Sequence, residues 1–203
     1  MGSLGITLNC GSKDECLDLL DYILNYRGIK GTYIMYSVDD GKLRIWVSGA
    51  MSEAVITKRV ILKAYKEWRE LKAWEKGAGS IDINLIMKLI GKPFVSEALV
   101  ELLKILGYKA ELKEGVLFTN ASSNDVLELA RELANSLEKL VKFRPKASYA
   151  SKALITAYAT LKGADPLEVI KELEGAGVLE VRGHKVLVKE EWRNLLRRLA
   201  SRI

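Results

Sequence analysis

The stretch GTYIMYSVDDGKLRIWVS (31–48) decides the fold class. Two runs rich in β-branched and aromatic residues flank Asp39-Asp40-Gly41, and an Asp-Gly pair between such runs marks a tight hairpin. In the second run Leu43, Ile45 and Val47 alternate with Lys42, Arg44 and Trp46, the period of a strand with one buried face. Upstream, ITLNC (6–10) alternates in the same way, with Ile6, Leu8 and Cys10 on one side. Residues 13–27 then change to helical spacing through Leu17, Leu20 and Leu24, supported by Cys16 and Ile23. Ser12 followed by Glu15 forms a capping box for that helix. Downstream, 51–76 reads as one long helix with an inner side through Thr57, Val60, Ile61, Ala64, Trp68 and Leu71. The resulting order is strand–helix–strand–strand–helix, a split α/β sandwich unit.

Composition sets the outer limits. The chain has 203 residues, 49% apolar and 29% charged with only 3 Pro, which excludes a disordered or collagen-like polymer. No apolar run approaches the ~20 residues that span a bilayer. The opening MGSLGITLNCG has neither a basic leader nor a cleavage site, so a cytoplasmic protein without a membrane partner is expected. One His and two Cys cannot furnish a Cys/His zinc site. Cys10 and Cys16 are expected to fill the core as buried thiols rather than to form a disulfide. No GxGxxG or Walker pattern is present, so no nucleotide cofactor is expected. Glu67 with Glu70, and Glu172 with Glu174, read as solvated helix charges rather than acid/base pairs. His184 stands alone at a predicted turn tip, a poor place to hold a base. The expectation is a protein without catalytic residues, metal or cofactor.

Beyond the first unit, GAGS (77–80) is a break. Helices are expected over 83–90 and 95–107 around Gly91-Lys92-Pro93, then short strands YKAEL and GVLFTN, then a helix over 123–141 capped by Ser122. FRPKAS (143–148) reads as a connector, with Pro145 holding Arg144 extended. The tail reads helix (148–161), helix (166–174), hairpin GVLEV-RGH-KVLVK and helix (190–202). Asp165-Pro166 followed by Glu168 is the sharpest helix start in the chain. Residues 13–76 and 95–141 both read helix–hairpin–helix, without a residue-level repeat. The expected architecture is α/β (α+β): a two-layer mixed core over 1–141, with possible sub-units 1–77 and 81–141, followed by a small domain over 146–203.

Residues 146–203 resemble a winged-helix domain with Arg182-Gly183-His184-Lys185 at the wing tip, although only two helices precede the wing. The whole chain is also similar to a conserved archaeal family of unassigned activity. That likeness rests on the opening strand leading into GSKDECLDLL, on KLRIWVSG (42–49) and on SEALVELLKILGYKAELKEGVLFTN (96–120). It implies a three-part architecture and carries over no function.

Lys and Arg outnumber Asp and Glu by 32 to 26, a net charge of +6, which suits an anionic partner. Lys42, Arg44 and Trp46 share the outer face of one strand. On a strand–helix–strand–strand–helix unit that face is where RNA recognition motifs stack bases. The alternative is that later helices cover it and make Trp46 part of the core. The long helix adds Lys63, Lys66 and Arg69, and 51–80 holds seven basic against four acidic residues. In the tail, basic residues gather at the wing (Arg182, Lys185) and in the last helix (Arg193, Arg197). The helix 166–174 instead exposes Glu168, Glu172 and Glu174, the wrong sign for the DNA major groove. Sequence-specific DNA binding is therefore disfavoured, and that helix suits a protein partner. Gly28-Ile29-Lys30-Gly31 has the spacing of a backbone-clamping GxxG loop, but reads as a helix end and turn. The expected function is RNA binding or association with an RNA–protein assembly. A protein-interaction module without nucleic acid is the alternative.

Overall fold

The computed structural model describes residues 2–29, 33–143 and 146–203. Lys30 and Gly31 of the GxxG spacing, and Arg144 and Pro145 of the expected connector, lie outside them. The chain divides into two compact units, up to Ala73 and from Trp74 to Ile203.

The first unit follows the order expected for it: β1 (Gly2–Asn9), α1 (Lys13–Leu24), β2 (Tyr33–Asp39), β3 (Lys42–Gly49) and α2 (Met51–Glu75). Its sheet has the order β1-β3-β2 and is antiparallel throughout. The alternation of β3 holds residue by residue: Leu43, Ile45 and Val47 are fully buried while Lys42, Arg44 and Trp46 are exposed. Leu19, Leu20 and Ile23 from α1 and Ala54, Ile61, Ala64 and Trp68 from α2 close the core on the buried face. A polar clasp joins the two helices. Tyr22 and Tyr26 donate to Glu67 at 3.3 and 2.7 Å, and the Trp68 indole N–H donates to Asp18 at 2.8 Å. Burial works against ionisation of Asp18, but the bonds from Trp68 and Lys72 outweigh it and hold that carboxyl below its ordinary range. Ser12 caps α1 by accepting the Glu15 N–H at 3.2 Å, and the helix ends at Asn25. Gly28, with φ at 107°, lies in the turn beyond that end.

The cysteines are a correction. Cys10 and Cys16 are buried as expected, but they form a disulfide, their Cα atoms 5.0 Å apart. The six-residue separation spans a strand end, a sharp turn at Gly11 with φ at 83°, and one helical turn that brings Cys16 back over Cys10. Closing so short a loop still removes freedom from the unfolded chain. Replacing both with alanine should lower the stability of this unit by about 2 kcal/mol. Denaturant titration with and without reductant checks this: the wild type should fall to the variant's midpoint on reduction.

The second unit is built from β4 (Ser80–Asp82), α3 (Ile83–Ile90), α4 (Ser96–Ile105), β5 (Ala110–Lys113), β6 (Val116–Thr119) and α5 (Ser123–Lys142). It continues through β7 (Lys146–Ala147), α6 (Tyr149–Lys162), α7 (Pro166–Gly175), β8 (Leu179–Arg182), β9 (Lys185–Val188) and α8 (Trp192–Ala200). Strands β4 and β7 are not legible in the sequence because two or three residues carry no alternation. Their sheets have the orders β4-β6-β5 and β7-β9-β8, both separate from the first. The β2–β3 and β5–β6 hairpins thus belong to different sheets. The winged-helix likeness gains its missing helix here, since α5 packs on both α6 and α7. That helix lies before the boundary expected at 146. The C-terminal cluster is winged-helix-like with α5 as its first helix.

The same element order occurs twice in this unit. The repetition is closest from α4 to α5 against α7 to α8. After α4, Gly107 donates to the Lys104 carbonyl and Tyr108 to that of Leu103. After α7, Gly177 donates to the Glu174 carbonyl and Val178 to that of Leu173. Leu99, Leu103, Leu117 and Val126 correspond to Val169, Leu173, Val186 and Leu195, all buried. Ser122 caps α5 as Glu191 caps α8. The first strands differ: β4 runs antiparallel to β6, and β7 parallel to β9. A repeat thus exists, but between 96–130 and 166–199 rather than between 13–76 and 95–141.

Candidate nucleic-acid interface

Because α1 and α2 both lie on the Leu43/Ile45/Val47 side, the opposite face of the first sheet is left to Lys42, Arg44 and Trp46. Register places Trp46 between Gly5 of β1 and Met35 of β2, and Arg44 between Thr7 and Ser37. A Cβ built on Gly5 would meet the Trp46 indole at 3.7 Å, an ordinary van der Waals contact, so the ring lies close along the backbone of β1. The glycine makes a flat seat for an aromatic ring. Trp46 is 36% exposed and Tyr33, two residues along β2 from Met35, is 82% exposed. Strand spacing and rise put Tyr33 and Trp46 about 8 Å apart on one face. Trp46 is thus not part of the first unit's own core.

The charges beside the rings are accessible. Arg44 lies 3.3 Å from Asp39, with both side chains half exposed. Such a pair contributes about 0–1 kcal/mol, so a phosphate can displace the carboxylate. Lys42 and Asn9 extend the polar end of the same face.

The other expected residues are placed elsewhere. Lys63, Lys66 and Arg69 are exposed on α2, which covers the opposite side of the sheet, so they do not join the Trp46 face. Arg182 is exposed at the wing but lies 2.7 Å from Glu180, and Lys185 is exposed beside it. The β5–β6 hairpin repeats this device, Lys113 lying 2.8 Å from Glu111. Arg193 and Arg197 of α8 are engaged inside the fold: Arg193 binds Glu97, and Arg197 binds Glu101, both on α4. The Glu101 side chain is 3% exposed, and no spacing rule could announce that α8 would lie against a helix some hundred residues earlier. Sequence reasoning missed Tyr33, Met35 and Gly5. The signal was present in the period of YIMYSV and in a lone glycine within a strand. Helix α7 carries Glu168, Glu172 and Glu174 on its exposed side, and Glu172 holds Lys162 at 2.7 Å.

Among the described residues no helix is long and apolar enough to cross a membrane. Residues 8–197 match the family described as "Uncharacterized protein conserved in archaea (DUF2067)". The chain belongs to this family. No curated protein and no solved structure matches it. The C-terminal cluster nevertheless gives this DUF2067 chain a winged-helix-like fold, which is consistent with nucleic-acid association in general.

Proposed function

We propose that this chain is a non-enzymatic RNA-binding protein, acting on single-stranded RNA or within an RNA–protein assembly in the cytoplasm. The observation that carries the reading is the open sheet face on which Trp46 lies over Gly5, with Tyr33 and Met35 exposed beside it and Arg44 and Lys42 at one end. Aromatic faces accept any base, and the two cations meet the phosphates that connect successive bases. The net charge of +6 favours encounter with a polyanion.

The test is the salt dependence of binding to an unstructured oligoribonucleotide. Lys42→Ala with Arg44→Ala should flatten the plot of log K against log salt by about 0.7 for each phosphate no longer neutralised. Arg182→Ala with Lys185→Ala should flatten it less, since both residues belong to the second unit and not to this sheet face. An unchanged slope in the first variant removes the sheet face from consideration. The acidic exposed side of α7 supports a second reading, a protein adaptor. Under it, Glu168→Lys abolishes binding of a protein partner while RNA binding is indifferent to both pairs of substitutions.

A further inference from the structure

The repeat in the second unit shows which residues its scaffold requires. Where both copies pack, both are apolar and buried, as at Leu103 with Leu173 and Leu117 with Val186. The copies part where α4 meets β5. Only Val178 separates Gly177 from β8, whereas Tyr108 and Lys109 separate Gly107 from β5. The first copy therefore carries one additional residue there. On the hairpin's second strand it presents Phe118, 44% exposed, where the other copy has the partly buried Leu187. At the last turn of α4 it has Lys104, where α7 has Glu174. Neither Phe118 nor the additional residue serves the shared packing, while Lys104 also pairs with the buried Glu101.

They surround one space. An open cleft of about 660 Å³ is lined by Lys104, Tyr108, Lys109, Glu111, Phe118 and Asn120, among others. The Tyr108 hydroxyl donates to Asp125 at 3.1 Å, which fixes one wall. Asn120 accepts the Lys109 backbone N–H through Oδ1 at 2.7 Å, which leaves its amide nitrogen as a donor. The Glu111 carboxylate lies 2.8 Å from Lys113, and Lys104 shares Glu101 with Arg197. Among the described residues Lys109 has no carboxylate within ion-pair reach. An exposed ring with two ammonium groups beside it suits a ligand that is planar and aromatic at one end and anionic at the other. An apolar ligand would leave Lys109 unused, and an inorganic anion would leave the ring unused.

We infer that this cleft binds one nucleoside phosphate, its base stacked on Phe118 and its phosphate against Lys104 and Lys109. The ligand is a free nucleotide or one nucleotide of a single strand. The site lies in the second unit and does not depend on the sheet face of the first.

The test uses the full chain with two probes, adenosine monophosphate and a short unstructured oligoadenylate, measured by calorimetry. Phe118→Ala and Lys109→Glu are each expected to weaken the binding that the cleft provides by about tenfold. Both positions are surface-exposed, and matching thermal transitions will verify that the variants fold. If the monophosphate binds at millimolar concentration and both variants weaken it while Trp46→Ala does not, the cleft takes free nucleotide. If only the oligonucleotide binds, and the Phe118 loss persists in a Trp46→Ala background, the cleft takes a nucleotide of a strand. If neither variant changes the binding of either probe, the inference is wrong. An unaltered response to Trp46→Ala alone would instead count against the sheet-face reading.

Discussion

Replacing Trp46 with alanine is expected to weaken binding of single-stranded RNA by roughly tenfold to a hundredfold, because one stacked base contributes about 1–3 kcal/mol. The fold should survive, since the ring sits on the outer face and the core beneath it is made by Leu43, Ile45 and Val47. Trp46→Phe should retain most of the affinity, whereas loss of charge alone would not distinguish the two substitutions. Fluorescence anisotropy of labelled RNA measures the loss directly. An independent reporter is built in. Of the four tryptophans, Trp68, Trp74 and Trp192 are buried, so quenching of intrinsic fluorescence by RNA reports chiefly on Trp46. A Trp46→Ala variant that binds RNA as the wild type does would overturn the sheet face as the RNA-binding site, whatever the cleft beside Phe118 turns out to hold.

This face was partly legible in the sequence because a strand's period of two is absolute. Once Leu43, Ile45 and Val47 are inward, Lys42, Arg44 and Trp46 have nowhere else to go. Whether the outward face would be covered was not legible, since covering depends on where later elements pack. The same limit hid the partners of Arg193 and Arg197. Each looked like a surface cation on an amphipathic helix, and its carboxylate lies on a helix distant in sequence. The disulfide was missed for a related reason. Cys10 belongs to a strand period and Cys16 to a helical one, and only the turn at Gly11 relates the two. The repeat was hidden by its identities. Leu103 and Leu173 can be matched once the caps are aligned, but the one-residue difference at Lys109 shifts every later position. That same difference is what marks the cleft.

Helix α4 occupies, in its copy, the place that α7 occupies in the winged-helix-like cluster, yet it cannot serve as a reading helix. Ala98 to Leu103 are all buried, and α6 and α8 pack against it. Glu101, 3% exposed on this helix, accepts from the Arg197 guanidinium and lies 3.2 Å from Lys104. Replacing Arg197 with alanine should cost about 2–3 kcal/mol of stability, below the usual loss for a broken buried pair because Lys104 remains and Arg197 is half exposed. The loss should appear in the unfolding of the second unit, followed through Trp192 fluorescence or the exchange of α4 and α8 amides. The order of the variants separates an electrostatic pairing from simple packing. Glu101→Leu with Arg197→Leu removes both charges and keeps apolar volume, so it should be more stable than Arg197→Ala alone, which strands a carboxylate in the interior. If the double variant is instead the less stable of the two, the pair is a net source of stability rather than a device that sets the position of α8 along α4.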